Sequence, residues 1–396
     1  MSETAFPEPD VAVDSVAPET LKQWIDDGED VAILDVRAEG EFAEWRIDGE
    51  GVEVLNVPYY ELLEGVSDEH LDRLPESEDH PLVVVCAKGG SSEYVAGLLE
   101  ESGVEAVNLA EGMNGWAGIY EYRELDADTD ATVAQYQRPS SGCLSYLVVS
   151  GEEAAVIDPL RAFTEEYLQD AKAMGAELVY AFDTHVHADH VSGVRDLEAD
   201  GVEGVIPAAA VDRGITYSAE LETAADGDTF AVGDVEVETV YTPGHTSGMT
   251  SYLVDDAVLL TGDGLFTESV ARPDLEEGDE GAPDAARQLY RSLQDRVLAL
   301  DEDVLVGGAH FSDAAEPAED GTYTATLGEL VDGMDALSMD EEAFVELVLS
   351  DMPPRPSNYE EIIGINLGQE EADDGEAFEL ELGPNNCAAS QDALTE

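Results

Sequence analysis

The chain has 396 residues, 43% of them hydrophobic, and sets 92 Asp and Glu against 16 Lys and Arg, a formal net charge of −76. The length accommodates two domains of ordinary size, and the apolar share supplies packed cores, which excludes a disordered acidic protein. Nucleic acid and anionic membrane are excluded as partners at this charge, and acid spread along the whole chain points to a protein kept compact by dense counterion screening, as in a high-salt cytoplasm.

Three cysteines, Cys86, Cys143 and Cys387, are too few and too scattered for a disulfide framework. The first ten residues lack the basic and apolar regions of a signal peptide. No apolar run approaches the roughly 20 residues of a membrane span. The expectation is a soluble, cytoplasmic chain, with room left for a homo-oligomer.

Taken in order, residues 1–125 alternate short strands and helices. Strands are expected at 31–36, 52–57, 82–85 and 106–109, and helices near 16–25, 69–74 and 91–102. This is a small α/β domain with a parallel sheet. Its strand 82–85 ends on Cys86, followed by Ala87, Lys88, Gly89, Gly90 and Ser91 and then a helix. Backbone N–H groups and a helix dipole converging on a sulfur lower its pKa, so Cys86 reads as a reactive thiol. Residues 126–134 are polar and acidic and read as a linker.

From residue 135 the pattern restarts. A hairpin of strands at 143–149 and 154–157 closes on Asp158-Pro159, and a helix follows at 164–174. The apolar strand 178–182 then runs into Thr184-His185-Val186-His187-Ala188-Asp189-His190, with a helix starting near 191. In an extended segment, residues two apart point to one side, so His185 and His187 are expected to grip one metal together. Asp189 and His190 follow a chain reversal and can face the same cavity. Strands at 204–208, 235–241, 251–254, 257–260 and 304–306 follow, with a helix at 283–300. Three of them lead to Gly244-His245, Gly262-Asp263 and Ala309-His310. Imidazole and carboxylate donors at strand ends suit zinc, iron or nickel. Residues 321–396 form a helical extension and acidic tail. Within it, 369–381 reads as solvated surface, and Cys387 as a resolving thiol or a bystander.

Two family resemblances sit on these motifs. Asp35-Val36-Arg37, Glu41-Phe42, Asn56-Val57-Pro58, the Cys86 loop and Gly112-Met113…Trp116 occur in the order seen in rhodanese domains. The resemblance implies a persulfide carried on Cys86 and held by the loop 87–91. Ser91 stands where many members have an anion-binding Arg, so the module reads either as a sulfurtransferase or as a persulfide carrier. The His-x-His-x-Asp-His motif with His245, Asp263 and His310 resembles the metallo-β-lactamase superfamily over residues 135–320. That resemblance implies an αββα sandwich.

Two branches of the superfamily fit. Glyoxalase II-like thioesterases hold two metal ions, such as two Zn, with all seven ligands. Persulfide dioxygenases resemble a mono-iron site, which carries over to Fe(II), one per chain, on His185, His245 and Asp263. His187, Asp189, His190 and His310 then become a second site or supporting groups. Fusion to a rhodanese-like module favours the dioxygenase. So do Arg272-Pro273-Asp274, which resembles a stretch after the metal Asp in that branch and makes Arg272 and Asp274 candidate catalytic residues, and the proline-rich strap 353–356. The implied substrates are a small-molecule thiol persulfide and O₂. Arg272 and Arg355 are candidate cations for its carboxylates.

Overall fold

The computed structural model describes residues 11–63, 65–217, 221–312, 314–350 and 352–389. The chain divides into two units, Met1–Ile119 and Tyr120–Glu396.

In the first unit, strands β1 (Ser15–Val16), β2 (Val31–Asp35), β3 (Val52–Asn56), β4 (Leu82–Val85) and β5 (Ala106–Leu109) form one sheet in the order β1-β5-β4-β2-β3. All four pairings are parallel. β2 and β4 are buried along their whole length, as expected of strands covered on both faces. One cluster around Ala32, Leu34, Val84, Val95 and Leu99 packs the helix Gly90–Glu101 on one side. A second, around Leu21, Ile33, Val83, Met113 and Trp116, packs the helices Pro18–Asp26 and Gly112–Ala117 on the other.

The second unit contains two sheets. One is seven-stranded, β12-β11-β10-β9-β8-β7-β6. Its strands are β6 (Glu121–Glu124), β7 (Thr132–Arg138), β8 (Cys143–Ser150), β9 (Glu153–Ile157), β10 (Glu177–Phe182), β11 (Glu203–Pro207) and β12 (Glu222–Ala224). The other is six-stranded, β13 (Thr229–Val232), β14 (Val235–Tyr241), β15 (Thr250–Val254), β16 (Val258–Gly262), β17 (Leu305–Gly308) and β18 (Thr324–Thr326), in sequence order. Leu144, Tyr146, Ile157 and Phe182 from the first meet Val237, Tyr252, Val258 and Leu260 from the second in one core. The outer face of the seven-stranded sheet is covered by Tyr167 and Ala171 of the helix Thr164–Ala173 and by Val194 and Leu197 of the helix Val194–Ala199. The other outer face is covered by Leu289 of the helix Gly278–Ser292 and by Phe344 and Val348 of the helix Glu341–Ser350. The layers are helix, sheet, sheet, helix.

Three details differ from the sequence reading. The acidic segment 126–131 joins two paired strands, β6 and β7, of the second unit. β7 is polar where a buried strand is usually apolar. Gln135 Nε2 donates to the Tyr146 hydroxyl at 3.0 Å and Gln137 Nε2 to the Gly321 carbonyl at 2.8 Å, which satisfies the buried amides. The helix expected at 283–300 begins at Gly278, takes Pro283 inside it, and passes into a π-helical turn, Leu293–Val297. The stretch 369–381 is not all solvated. Asp373 caps the helix Asp374–Leu380, and buried Glu381 pairs with buried Arg138 at 2.6 Å. No helix among the described residues is long and apolar enough to cross a membrane.

Candidate metal centre

The histidine motif occupies an irregular segment after β10. Because β10 is paired in parallel with both β9 and β11, its C-terminal end opens beside theirs, the usual place for a ligand site in such sheets. Asp158, just past β9, anchors the segment. It accepts from the Thr184 backbone N–H at 2.7 Å and from the Thr184 hydroxyl at 2.9 Å. That hydroxyl, having given its proton to Asp158, accepts from His185 Nδ1–H at 2.9 Å. His185 is thereby held with its Nε2 lone pair free. His245 is fixed in the same way, donating Nδ1–H to the Arg272 carbonyl at 2.8 Å. Partners of this kind set the tautomer and aim the other nitrogen of a metal-binding histidine.

Both free nitrogens point at Asp263. His185 Nε2 is 3.6 Å and His245 Nε2 3.4 Å from Asp263 Oδ2. All three atoms are buried with no hydrogen-bond partner. Three orphaned, converging donors are what a cation needs. Burial holds the His185 and His245 pKa values below the ordinary range. Burial also pushes the Asp263 carboxyl up, but His310 and His185 beside it pull it down further, so it stays ionised. Two neutral imidazoles and one carboxylate are ready to ligate. Gly262 makes the approach possible: its φ is +53°, and a Cβ there would lie 2.5 Å from Thr184 Oγ1.

His187 does not join His185 as expected. Its Nε2 turns to Asp158 at 3.1 Å and lies 3.6 Å from Asp183. Alternation by two holds for a strand, and residues past Phe182 are no longer one. Against the cost of burial, Asp158 raises the His187 pKa to about 9. Its Nδ1 has no hydrogen-bond partner.

Asp189, His190 and His310 meet on the other side of Asp263. His310 donates through both nitrogens, to Asp263 Oδ1 at 2.7 Å and to Asp189 Oδ2 at 2.6 Å. Despite burial, these two carboxylates hold it protonated, well above the ordinary range. Cys387, at 0% exposure, has its thiol within reach of Asp263 and His310.

Arg272 and Asp274 are buried together. Arg272 donates to Asp274 Oδ1 at 2.8 Å and Oδ2 at 3.1 Å, and to the carbonyls of Pro354 and Asn386, each at 2.9 Å. Arg355 donates to Asp274 Oδ2 at 2.9 Å. These groups tie the proline strap and the tail to the loop whose carbonyl orients His245. The guanidinium of Arg272 is already engaged, so it does not present a free cation to a substrate.

Sequence reasoning missed Asn366 as a site residue. Its side chain accepts from the Ser192 N–H at 2.9 Å and donates to the carbonyls of His187 at 3.0 Å and His190 at 2.8 Å. Asp183, which accepts from the Ser192 hydroxyl at 2.8 Å, was also missed. Asp183 was hinted at only by the run of polar residues flanking the motif, and Asn366 only by its place in the tail that follows the proline-rich strap.

In the first unit, Cys86 ends β4 and is buried. The Gly89 N–H donates to its sulfur at 3.1 Å, and the Ser92 hydroxyl, 2.7 Å from Asn108 Oδ1, lies 3.0 Å from it. Burial raises the thiol pKa, but hydrogen bonds from Ser91, Ser92 and the loop backbone lower it more, and the net shift is downward. Ala87, Lys88 and Gly89 bend around it, and Gly90 and Ser91 open the helix Gly90–Glu101. Gly112 packs on the turn, where a Cβ would come 2.1 Å from the Cys86 carbonyl oxygen.

Comparison with known proteins agrees with both halves. Residues 139–310 match the metallo-β-lactamase superfamily, and residues 17–119 match the rhodanese-like domain. The chain is 32% identical over 181 residues to the mitochondrial persulfide dioxygenase ETHE1 of Homo sapiens, covering 44% of this chain. The match spans 66% of that relative's length, just under two thirds. It is 34% identical over 211 residues to the hydroxyacylglutathione hydrolase of Methylococcus capsulatus, covering 51% of this chain and 75% of the relative. Among solved structures, a metallo-β-lactamase from Staphylococcus aureus superposes with a TM-score of 0.56 at 24% identity, covering 61% of this chain and 74% of that one. The chain therefore belongs to the metallo-β-lactamase superfamily and carries a rhodanese-like domain ahead of its metal domain.

Proposed function

We propose that the chain is a persulfide dioxygenase. It oxidises a low-molecular-weight thiol persulfide with O₂ and water to sulfite and the free thiol. The observation that carries this reading is the separation of His187 from His185, His245 and Asp263. Two imidazoles and one carboxylate with open positions are the donor set of non-haem Fe(II) oxygenases. Fe(II), one per chain, would supply positions for both O₂ and the substrate sulfur.

The chain's own residues set the stage. Thr184 and the Arg272 carbonyl fix the two imidazoles, and His310 holds Asp263 Oδ1 so that Oδ2 faces His185 and His245. Arg272 and Asp274 act as positioning residues through the backbone of the His245-bound loop. In the first unit, Cys86 carries sulfane sulfur stabilised by the loop 87–91. We read the first unit, residues 1–119, as the sulfur-carrying module, and the second, from residue 120, as the metal module with 321–396 as the extension that braces it, in a protein of high-salt surroundings.

The hydrolase reading rests on a different observation. His187 Nδ1 is buried with no partner, and its ring centroid lies 4.3 Å from that of His185, which makes it the candidate fourth donor of the first metal position. The two readings part on products. Purified chain given a thiol persulfide under air should yield sulfite, with no hydrolysis of a hydroxyacyl thioester. Thioester hydrolysis without sulfite would replace the dioxygenase with the hydrolase.

A further inference from the structure

The two cations expected to receive a substrate carboxylate are occupied. Arg272 donates to Asp274 and to the carbonyls of Pro354 and Asn386, and Arg355 donates to Asp274 and Asp279. Another arginine stands beside the metal donors without a close partner. Arg213 ends the short 3₁₀ turn Ala208–Arg213, which follows β11 at the same end of the sheet as the histidine motif. Ala210 and Ile215 of this stretch pack with Val186 in one apolar cluster. A Cβ at Gly248 would lie 2.7 Å from Ala210 Cα, so the turn lies directly on the loop that carries His245.

The Arg213 side chain is only 9% exposed, yet its contacts are long. Nη1 lies 3.5 Å from the Val186 carbonyl, and Nε lies 3.5 Å from Glu276 Oε1. A well-formed bond from a guanidinium to a carboxylate is about 2.7–2.9 Å. Glu276 is held elsewhere: Ser247 donates to it through its backbone N–H at 2.5 Å and its hydroxyl at 2.7 Å. Burial pulls the Arg213 pKa down and Glu276 offsets part of that, but a guanidinium stays charged. A buried cation with a distant counter-charge carries a desolvation cost that a second carboxylate would offset. The position suits a substrate. Val186 lies between His185 and His187, and Ser247 is two residues past His245. The guanidinium therefore stands against both segments that bring imidazoles to Asp263.

We propose that Arg213 is the specificity-determining cation of this site and receives a carboxylate of the thiol whose sulfur is oxidised. At a net charge of −76 the surface as a whole repels an anionic thiol. Its capture needs a local cation that salt screens poorly, and burial provides one. The inference rests on the proposed reaction only in taking a low-molecular-weight thiol as the ligand, and it would hold for a thioester of the same thiol.

Glutathione and its diethyl ester are the probes, because they share one thiol and differ in carrying carboxylates or none. Their binding to zinc-loaded full-length chain in molar salt is measured by calorimetry. Wild type should bind glutathione about 10–100-fold more tightly than the ester, the range a hydrogen bond between charged groups supplies. Arg213→Gln should erase most of that margin and leave the ester's affinity unchanged. Arg213→Lys, which keeps the charge, should restore part of it. Glu276→Gln removes the competing carboxylate and should tighten glutathione binding with no change for the ester; it decides the matter if Arg213→Gln does not fold. Equal affinity of wild type for the two probes would overturn the proposal. So would a margin that survives in Arg213→Gln, an equal loss for both probes in that variant, or no tightening in Glu276→Gln. Failure of the dioxygenase reading would show instead as no sulfite from glutathione persulfide under air, with the glutathione margin intact.

Discussion

Asn366 offers a sharp test of how the site is held, because it touches no donor atom and yet organises the segment that carries His185. Its side chain makes three hydrogen bonds, to Ser192 N–H and to the carbonyls of His187 and His190. The residue is 5% exposed, so water does not readily replace them. Each bond contributes about 1 kcal/mol, and leaving its backbone partner unsatisfied costs roughly 1–3 kcal/mol. Asn366→Ala should therefore destabilise the second unit by about 3 kcal/mol, up to about twice that if the segment does not relax. Loss of an outer support of this kind weakens metal binding by about 10–100-fold. The assay is competition for metal against a chelator, with a denaturant midpoint measured in the same molar salt. Asn366→Asp keeps the acceptor for Ser192 but sets a carboxylate against two carbonyls, and should do no better than alanine. Unchanged metal affinity in Asn366→Ala at full folding would refute the idea that this side chain positions the donors.

Other outcomes follow from the same structure. Despite burial, the hydrogen bonds from Ser91, Ser92 and the loop backbone lower the Cys86 pKa, so the midpoint of its alkylation rate against pH should lie below that of a free cysteine measured in the same buffer; Ser92→Ala should move the midpoint upward. Glu381→Ala takes a carboxylate away from Arg138, which is buried with it at 2.6 Å, and should cost about 3–5 kcal/mol by denaturant unfolding. Gly262→Ala, with φ at +53° and Met249 Cε at 2.3 Å from the added carbon, should displace the metal segment and abolish metal binding, which a chelator titration would register. At a net charge of −76, lowering ionic strength from about 1 M to about 0.1 M lengthens the screening distance from about 3 Å to about 10 Å; the melting temperature should fall steeply, and a flat response would contradict the counterion account.

Much of the fold is legible in the sequence because the three sheets announce themselves by short apolar strands ending on turn or ligand residues. The donors are legible too, since His185, His245 and Asp263 each follow a strand and need only be gathered by it. What lies around them is not. Asn366 reaches the motif from 174 to 179 residues away, and Arg138 meets Glu381 across 243; no local pattern reports such pairs. Polar β7 hides as loop because its buried amides are satisfied by Tyr146 and Gly321, partners that exist only in the folded chain. His187 misleads for a local reason: a rule that holds in strands was extended past the last residue of one.

The most direct test of the dioxygenase assignment is oxygen uptake by chain purified without oxygen in molar salt, with iron determined on the same sample. The account predicts about one iron per chain at His185, His245 and Asp263, uptake that depends on added thiol persulfide, and loss of both iron and uptake in His185→Ala. An iron-loaded chain that consumes no oxygen with persulfide, and hydrolyses a thioester instead, would contradict it.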